Sequence, residues 1–345
     1  MTHLADSGSV HDLVIIGAGP VGLQAAILAR RAGLDAVVLE QGCIVNAIYR
    51  YSTYMTFFTT SERLEIGGHP LVTATDKPTR KEALDYYRKV VHAEQVDVRQ
   101  YTSVTGIARS GAEFRVAAKR TDGSLHAFRS RRVIVATGYF DTPKRLLVPG
   151  EDLPNVTHYY TEPHPYYSRN VTIVGAGSSA ADAALDLYRA GARVTMVHRG
   201  PDFRHSLKYW IRPNLENRVR EGSITAHMNT VVTRITPGAV HTSGPAGELA
   251  IPTDQTFLLT GYYADPALLN SVGIRTDPAT FQAELNEDTF ESNIPGLHVI
   301  GSAGFGTRTS DVFIENGLVH AARAIGHIAK HAADTSGAGL VTATG

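Results

Sequence analysis

The chain has 345 residues, 43% hydrophobic and 19% charged, with 33 Lys+Arg against 33 Asp+Glu. That length is enough for two packed domains, and a net charge of zero gives no electrostatic pull toward nucleic acid or an acidic membrane surface. The single cysteine, Cys43, excludes an intrachain disulfide, a CxxC redox pair and a cysteine-clustered metal site, and it suits a reducing cytoplasm.

In chain order, residues 1–9 are small and polar and read as a loose tail. Residues 13–29 are nearly uncharged, but Gly17, Gly19, Pro20 and Gly22 interrupt them and no basic stretch precedes them. They therefore read as a buried strand, a turn and a helix to about Arg31, not as a signal or membrane segment. A strand over 36–40 completes a βαβ unit. The pattern recurs as a strand over 171–174, a turn at Gly175 and Gly177, a helix to about Arg189 and a strand over 193–198. Strands alternating with helices imply parallel sheets, right-handed crossovers and an α/β fold. The expected architecture is two Rossmann-like, three-layer dinucleotide-binding domains. Residues 133–138 lead into the second unit and 257–261 lead out, as short crossings do when one domain is inserted into another. The division expected is residues 1–140 with 263–345, and 141–262. Residues 296–301 form a last strand, and 309–330 a helix N-capped by Thr309 or Ser310, with Asp311 in its first turn. A second loose tail follows about Ala332.

The glycine motifs carry the chemistry. Gly17 permits a tight turn, Gly19 lets backbone approach a pyrophosphate, and Gly22 lets the helix pack close to its strand. The helix N-terminus adds unpaired N–H groups and a positive dipole end. Glu40, closing the next strand, can accept hydrogen bonds from a ribose. An empty glycine-rich turn is the competing reading; the surrounding βαβ pattern and the acid weigh against it. The second copy has Gly175, Gly177 and Ala180, and His198 stands at the offset of Glu40, followed by Arg199 with Arg204 on the next loop. Exchanging an acid for His-Arg removes repulsion toward an adenosine 2′-phosphate and supplies a planar cation, which favours NADPH over NADH. A solvated strand end is the competing reading there.

Longer strings are more selective: residues 46–49 (NAIY), 56–62 (TFFTTSE) with 64–67 (LEIG), 136–139 (ATGY), 148–154 (VPGEDLP) and 313–317 (FIENG). With these, essentially the whole chain resembles the low-molecular-weight thioredoxin reductase class of flavoproteins, and within it the bacillithiol disulfide reductase, or bacilliredoxin reductase, group. The resemblance implies FAD held by Gly17, Gly19, Gly22 and Glu40, NADPH held by Gly175, Gly177, Arg199 and Arg204, and a homodimer or homotetramer. The expected FAD set is completed by Pro20, Gln41, Asn46, Thr137, Gly138, Gly301, Ser302 and Phe313, and the NADPH set by Ser178, Ser179 and His198. A helix aimed at the flavin would stabilise the negative charge that reduction brings. Ser302 stands where many relatives carry an Asp, a departure the bacillithiol-type group shares. Val21 stands where members of that group often carry a Cys, and the thioredoxin reductase CxxC is missing.

Hydride transfer needs positioned rings more than a protein acid or base, so no catalytic residue is assigned. Cys43 could act only through a mixed disulfide with substrate; packing beside the nucleotide is the plainer reading. The tyrosines at 49, 51 and 54 and the stretch 158–167 read first as packing, with stacking on a flavin as the alternative. Lys208, Trp210 and Arg212 read as a solvated helix face, with partner docking as the alternative. No His or carboxylate spacing matches a metal-ligand set. The function expected is reduction by NADPH, through FAD, of a low-molecular-weight disulfide or a small redox protein. A ferredoxin or flavodoxin NADP reductase, a flavin monooxygenase and a sensor without turnover compete with it.

Overall fold

A computed structural model describes residues 5–204 and 207–337 of the chain. They divide into two compact units: Met1–Tyr49, Thr59–Thr142 and Tyr263–Gly345 form the first, Arg50–Phe58 and Pro143–Tyr262 the second.

In the first unit β1 (Ala5–Ile16), α1 (Pro20–Arg31) and β2 (Ala36–Leu39) are followed by α2 (Asn46–Tyr49), α3 (Arg80–Ala93), β3 (Val98–Arg99), β4 (Thr102–Ser110), β5 (Glu113–Arg120) and β6 (Leu125–Val135). The apolar run at the end of β1 does not alternate because both faces of a central parallel strand are covered; Leu13, Val14 and Ile15 are fully buried. β1 pairs in parallel with β2, Ile16 opposite Leu39, and with β6, Ile16 opposite Val135. The sheet order is β3-β2-β1-β6-β5-β4.

Two expectations fail in this unit. The sheet is mixed, since β4, β5 and β6 are antiparallel; Phe114, Val116 and Ala118 are buried while Arg115 is exposed, the period-two pattern of a strand covered on one face. The tail expected over 1–9 is strand from Ala5, because Ala5 and Asp6 extend the pairing to His126 and Ala127. Residues 1–4 lie outside the described residues.

The second unit contains β7 (Val156–Thr157), β8 (Asn170–Val174), α4 (Ser178–Arg189), β9 (Arg193–Val197), α5 (Arg212–Arg220), β10 (Thr225–His227), β11 (Val231–Thr236), β12 (Ala239–Gly244), β13 (Gly247–Pro252) and β14 (Gln255–Leu258). Its main sheet is parallel, ordered β10-β9-β8-β14-β7, and β11-β12-β13 form a separate antiparallel sheet. α4 buries an alanine-rich face with Ile173, Met196 and Phe257. Arg50–Phe58, expected in the first domain, belong here: Thr53 N donates to Thr161 O, Lys208 Nζ to Thr56 O, and Phe58 stacks on Trp210.

The chain then returns to the first unit with α6 (Ala267–Ser271), β15 (Leu297–Val299), paired with β6, and α7 (Ile314–Gly337). α7 starts later than the sequence suggests. Asp311 is held in a preceding turn by Arg308, at 2.6 Å, and Asn316 reaches back to accept from Phe313 N, so Thr309 and Ser310 do not cap the helix. It also runs on to Gly337, past the start of the expected tail; residues 338–345 are not described. Among the described residues no helix is long and apolar enough to cross a membrane.

Candidate dinucleotide sites

In the first unit the site residues gather at the C-terminal end of β1. Gly17 has φ +107°, and a Cβ there would lie 2.6 Å from the Ala136 carbonyl oxygen, so only glycine makes this turn without displacing the neighbouring crossing. Gly19 differs: a Cβ on it would meet nothing within 4 Å. It precedes Pro20, the first residue of α1, and no side chain caps that helix. The first-turn N–H groups thus have no capping side chain and are left for a ligand, as an anion-binding turn requires. Glu40 is buried, its carboxylate accepting from Ala18 N and Gly42 N at 2.8 Å each. Burial raises its pKa and the two backbone N–H groups oppose that rise. A carboxylate has about four acceptor positions, so two remain for hydroxyl donors such as a ribose.

The other residues expected here fall around this turn unevenly. Gln41 donates to Asp141 at 2.7 Å, an acid that sequence reasoning missed. Asn46, in α2, lies against Gly42 and Cys43. Gly138 approaches Ser302, and Gly301 and Gly317 both abut Val21 in α1, which brings the start of α7 to the glycine turn. Thr137 is exposed at the same crossing. Phe313 is 61% exposed.

The second unit repeats the turn. Gly175 has φ +140°, with a Cβ position 2.3 Å from the Leu259 carbonyl oxygen. A Cβ on Gly177 would meet only Arg204 Cδ, at 4.0 Å, and α4, beginning with Ser178 and Ser179, has no side-chain cap. β8 lies between β9 and β14, so this turn sits at the switch point where open α/β sheets bind ligands. Arg204 N donates to Ala176 O and holds the arginine loop over the turn. His198 follows β9 and is half-buried. Its pKa is lowered by burial and then by the charges of Arg204 and Arg199. Lys144, which the sequence did not flag, has its pKa lowered by the same three causes. Its N–H bonds to Gly261 O and its carbonyl accepts from Thr260, so the outgoing crossing places it. Four cationic or protonatable groups that repel one another suit an anionic ligand.

Cys43 Sγ is 3.7 Å from Asn46 Oδ1, and burial raises the thiol pKa, the opposite of an activated cysteine. Lys208 is not on a solvated face: it is 8% exposed and pairs with Asp182. Tyr159 stacks on Tyr262, and Tyr160 packs edge-on against Phe257 and donates to Asp186, so these two are packing residues of the second unit. Tyr49 and Tyr54 are exposed.

The profile of the family described as pyridine nucleotide-disulphide oxidoreductase matches residues 14–301. The bacilliredoxin reductase Bdr of Bacillus subtilis is 40% identical over 318 residues, 92% of this chain and 97% of the relative. A solved bacillithiol disulfide reductase Bdr from Bacillus cereus superposes with a TM-score of 0.91 at 39% identity, covering 94% of this chain and all of that one. A ferredoxin–NADP reductase of Ignicoccus hospitalis is 25% identical, over 85% of this chain and 90% of the relative. With two Rossmann-like units, paired glycine turns and these likenesses, the chain belongs to the pyridine nucleotide-disulphide oxidoreductase family, as an enzyme of the bacilliredoxin reductase type.

Proposed function

We propose that the enzyme takes reducing equivalents from NADPH, bound on the second unit, to FAD, bound on the first, and delivers them to the disulfide of a low-molecular-weight thiol or of a small redox protein. The choice of NADPH rests on Lys144, His198, Arg199 and Arg204 gathering where the fold would present an adenosine 2′-phosphate. The acceptor class rests on the 40% identity to bacilliredoxin reductase Bdr.

When bound, a flavin supplies hydride acceptance from a nicotinamide and two-electron delivery to an acceptor. The protein's part is binding and exclusion. The first turns of α1 and α4 offer N–H groups to pyrophosphates, and Glu40 offers two acceptor positions to a ribose. Cys43, with its raised pKa and no second cysteine in the sequence, offers no poised thiolate. The proposal therefore has the substrate disulfide reduced without a mixed disulfide to the protein.

The test is an anaerobic titration of the purified protein with NADPH and then NADH, followed by bacillithiol disulfide, ferredoxin or oxygen, with the flavin absorbance recorded. Bleaching by NADPH and reoxidation by the disulfide supports the proposal. Reoxidation by ferredoxin alone moves the enzyme to the ferredoxin–NADP reductase class, and no bleaching by either nucleotide sinks the redox mechanism.

A further inference from the structure

We propose that Glu291, His298 and His327 form a binding site for a divalent first-row transition cation, zinc fitting the donor set, that ties α7 to β15. One nitrogen or carboxylate oxygen from each residue lies within 4.8 Å of the others. His298 Nε2 and His327 Nδ1 are 3.2 Å apart. With zinc–nitrogen bonds of about 2.0–2.1 Å, tetrahedral geometry puts two ligand atoms roughly 3.3 Å apart, so this pair already has the spacing of ligands sharing one ion. Two imidazoles and a carboxylate are a common zinc donor set, with a fourth position left to water.

The fold builds the site from separate elements. Glu291 and His298 are paired across an antiparallel bridge, which sets their side chains together. Gly296 N donates to Glu291 Oε1 at 2.7 Å, an outer hydrogen bond that orients the carboxylate and leaves its other oxygen for an ion. His298 is 1% exposed, between two β15 residues that enter the core; among the described residues its Nδ1 makes no hydrogen bond of good geometry, and the Gly296 backbone is its hydrogen-bonding neighbour. An imidazole so buried is costly unless both ring nitrogens are satisfied, and a metal on Nε2 with a backbone neighbour at the other nitrogen would satisfy them. His327 comes from α7, and its carbonyl receives His331 Nδ1 one turn on. Arg132 and Lys330 are close enough to oppose a cation, while the charge of Glu291 favours one. The site is in the first unit but uses none of the residues assigned to nucleotide binding.

The competing account is a plain N–H···N hydrogen bond between the two histidines. It is tested on the flavin-loaded full chain, stripped with a chelator and titrated with zinc chloride by calorimetry, with thermal unfolding in parallel. One equivalent bound, a rise in melting temperature, and at least tenfold weaker binding in both His327→Ala and Glu291→Gln would support the site. Both residues are half-buried, and retained flavin absorbance would show that the variants fold. Absence of stoichiometric zinc binding, or unchanged affinity in His327→Ala, would overturn the proposal in favour of the hydrogen bond or of scattered surface histidines.

Discussion

Lys208 and Asp182 form an ion pair within the second unit, Nζ to Oδ2 at 2.9 Å, and the same ammonium donates to the Thr56 carbonyl at 3.0 Å. The lysine side chain is 10% exposed and the aspartate 25%. One cation thus joins α4 to the segment Arg50–Phe58. Burial raises the Asp182 pKa, and Lys208 works against that rise. Lys208→Met removes the compensation and should cost about 2 kcal/mol at pH 7, below the figure for a fully buried pair because Asp182 keeps some water. The pH dependence has a definite sign. A carboxyl whose folded pKa lies above its unfolded value holds more protons folded than unfolded, so its contribution to stability rises as pH falls through that window. Urea unfolding at pH 7 and pH 5 should show the variant recovering part of its deficit at the lower pH, and an equal deficit at both would show that Asp182 is not the group left stranded.

Gly19 and Gly17 should respond differently to the same substitution. A methyl at Gly19 enters open space, so Gly19→Ala is expected to fold normally yet purify with much less flavin, because the methyl occupies the pyrophosphate's approach. At Gly17 both the positive φ and the Ala136 carbonyl oppose a side chain, so Gly17→Ala should destabilise the chain itself, by about 1–3 kcal/mol or more. Flavin content and the melting temperature of flavin-free protein separate the two effects. If Gly19→Ala keeps full flavin, the first turn is not where the pyrophosphate lies.

The βαβ units were legible because local signals agree there: an unalternating apolar run, glycines where a Cβ would strike a crossing strand, and helices that start without a capping side chain. Lys144 was not legible. It stands far in sequence from Arg204, and only the pairing of its backbone with Gly261 and Thr260 brings it to the cationic cluster. The cluster of Glu291, His298 and His327 escaped for the same reason, since its geometry depends on an antiparallel bridge and on α7 packing, not on ligand spacing along the chain. The start of α7 was misread because Asp311 suits a first turn by composition but is engaged by Arg308. Lys208 was misread because charge alone suggested solvent, whereas Asp182 and the Thr56 carbonyl make burial tolerable.

Cys43→Ser should leave disulfide reduction above half of the parent rate. Burial opposes thiolate formation and outweighs the backbone hydrogen bond and Arg80 charge that favour it, and Asn46 Oδ1, at 3.7 Å, accepts from the thiol rather than stabilising its anion. Steady-state turnover with NADPH and a disulfide acceptor decides it. A loss of tenfold or more, with flavin content unchanged, would put Cys43 back in the reaction as the residue forming a mixed disulfide.

Arg204 and His198 should separate the two nicotinamide nucleotides by charge and by pH. Arg204→Ala removes a guanidinium able to make charge-assisted hydrogen bonds, so the KM for NADPH should rise by about 10- to 100-fold while that for NADH changes little. His198 is held neutral in the free protein by burial and by the arginines, its pKa below the ordinary value. A bound 2′-phosphate supplies the opposite charge and raises that pKa, so NADPH binding takes up a proton, and affinity should increase as pH falls from 8 toward 6. Below about pH 6 the phosphate itself gains a proton and the trend should level off. NADH carries no 2′-phosphate and should show no such slope. In His198→Gln the pH dependence should flatten while the preference for NADPH persists through Lys144 and Arg199, and dissociation constants for NADP+ and NAD+ measured across this range would check both. A slope that survives in His198→Gln would assign the proton to another group, and equal slopes for the two nucleotides would place the cationic cluster away from the 2′-phosphate.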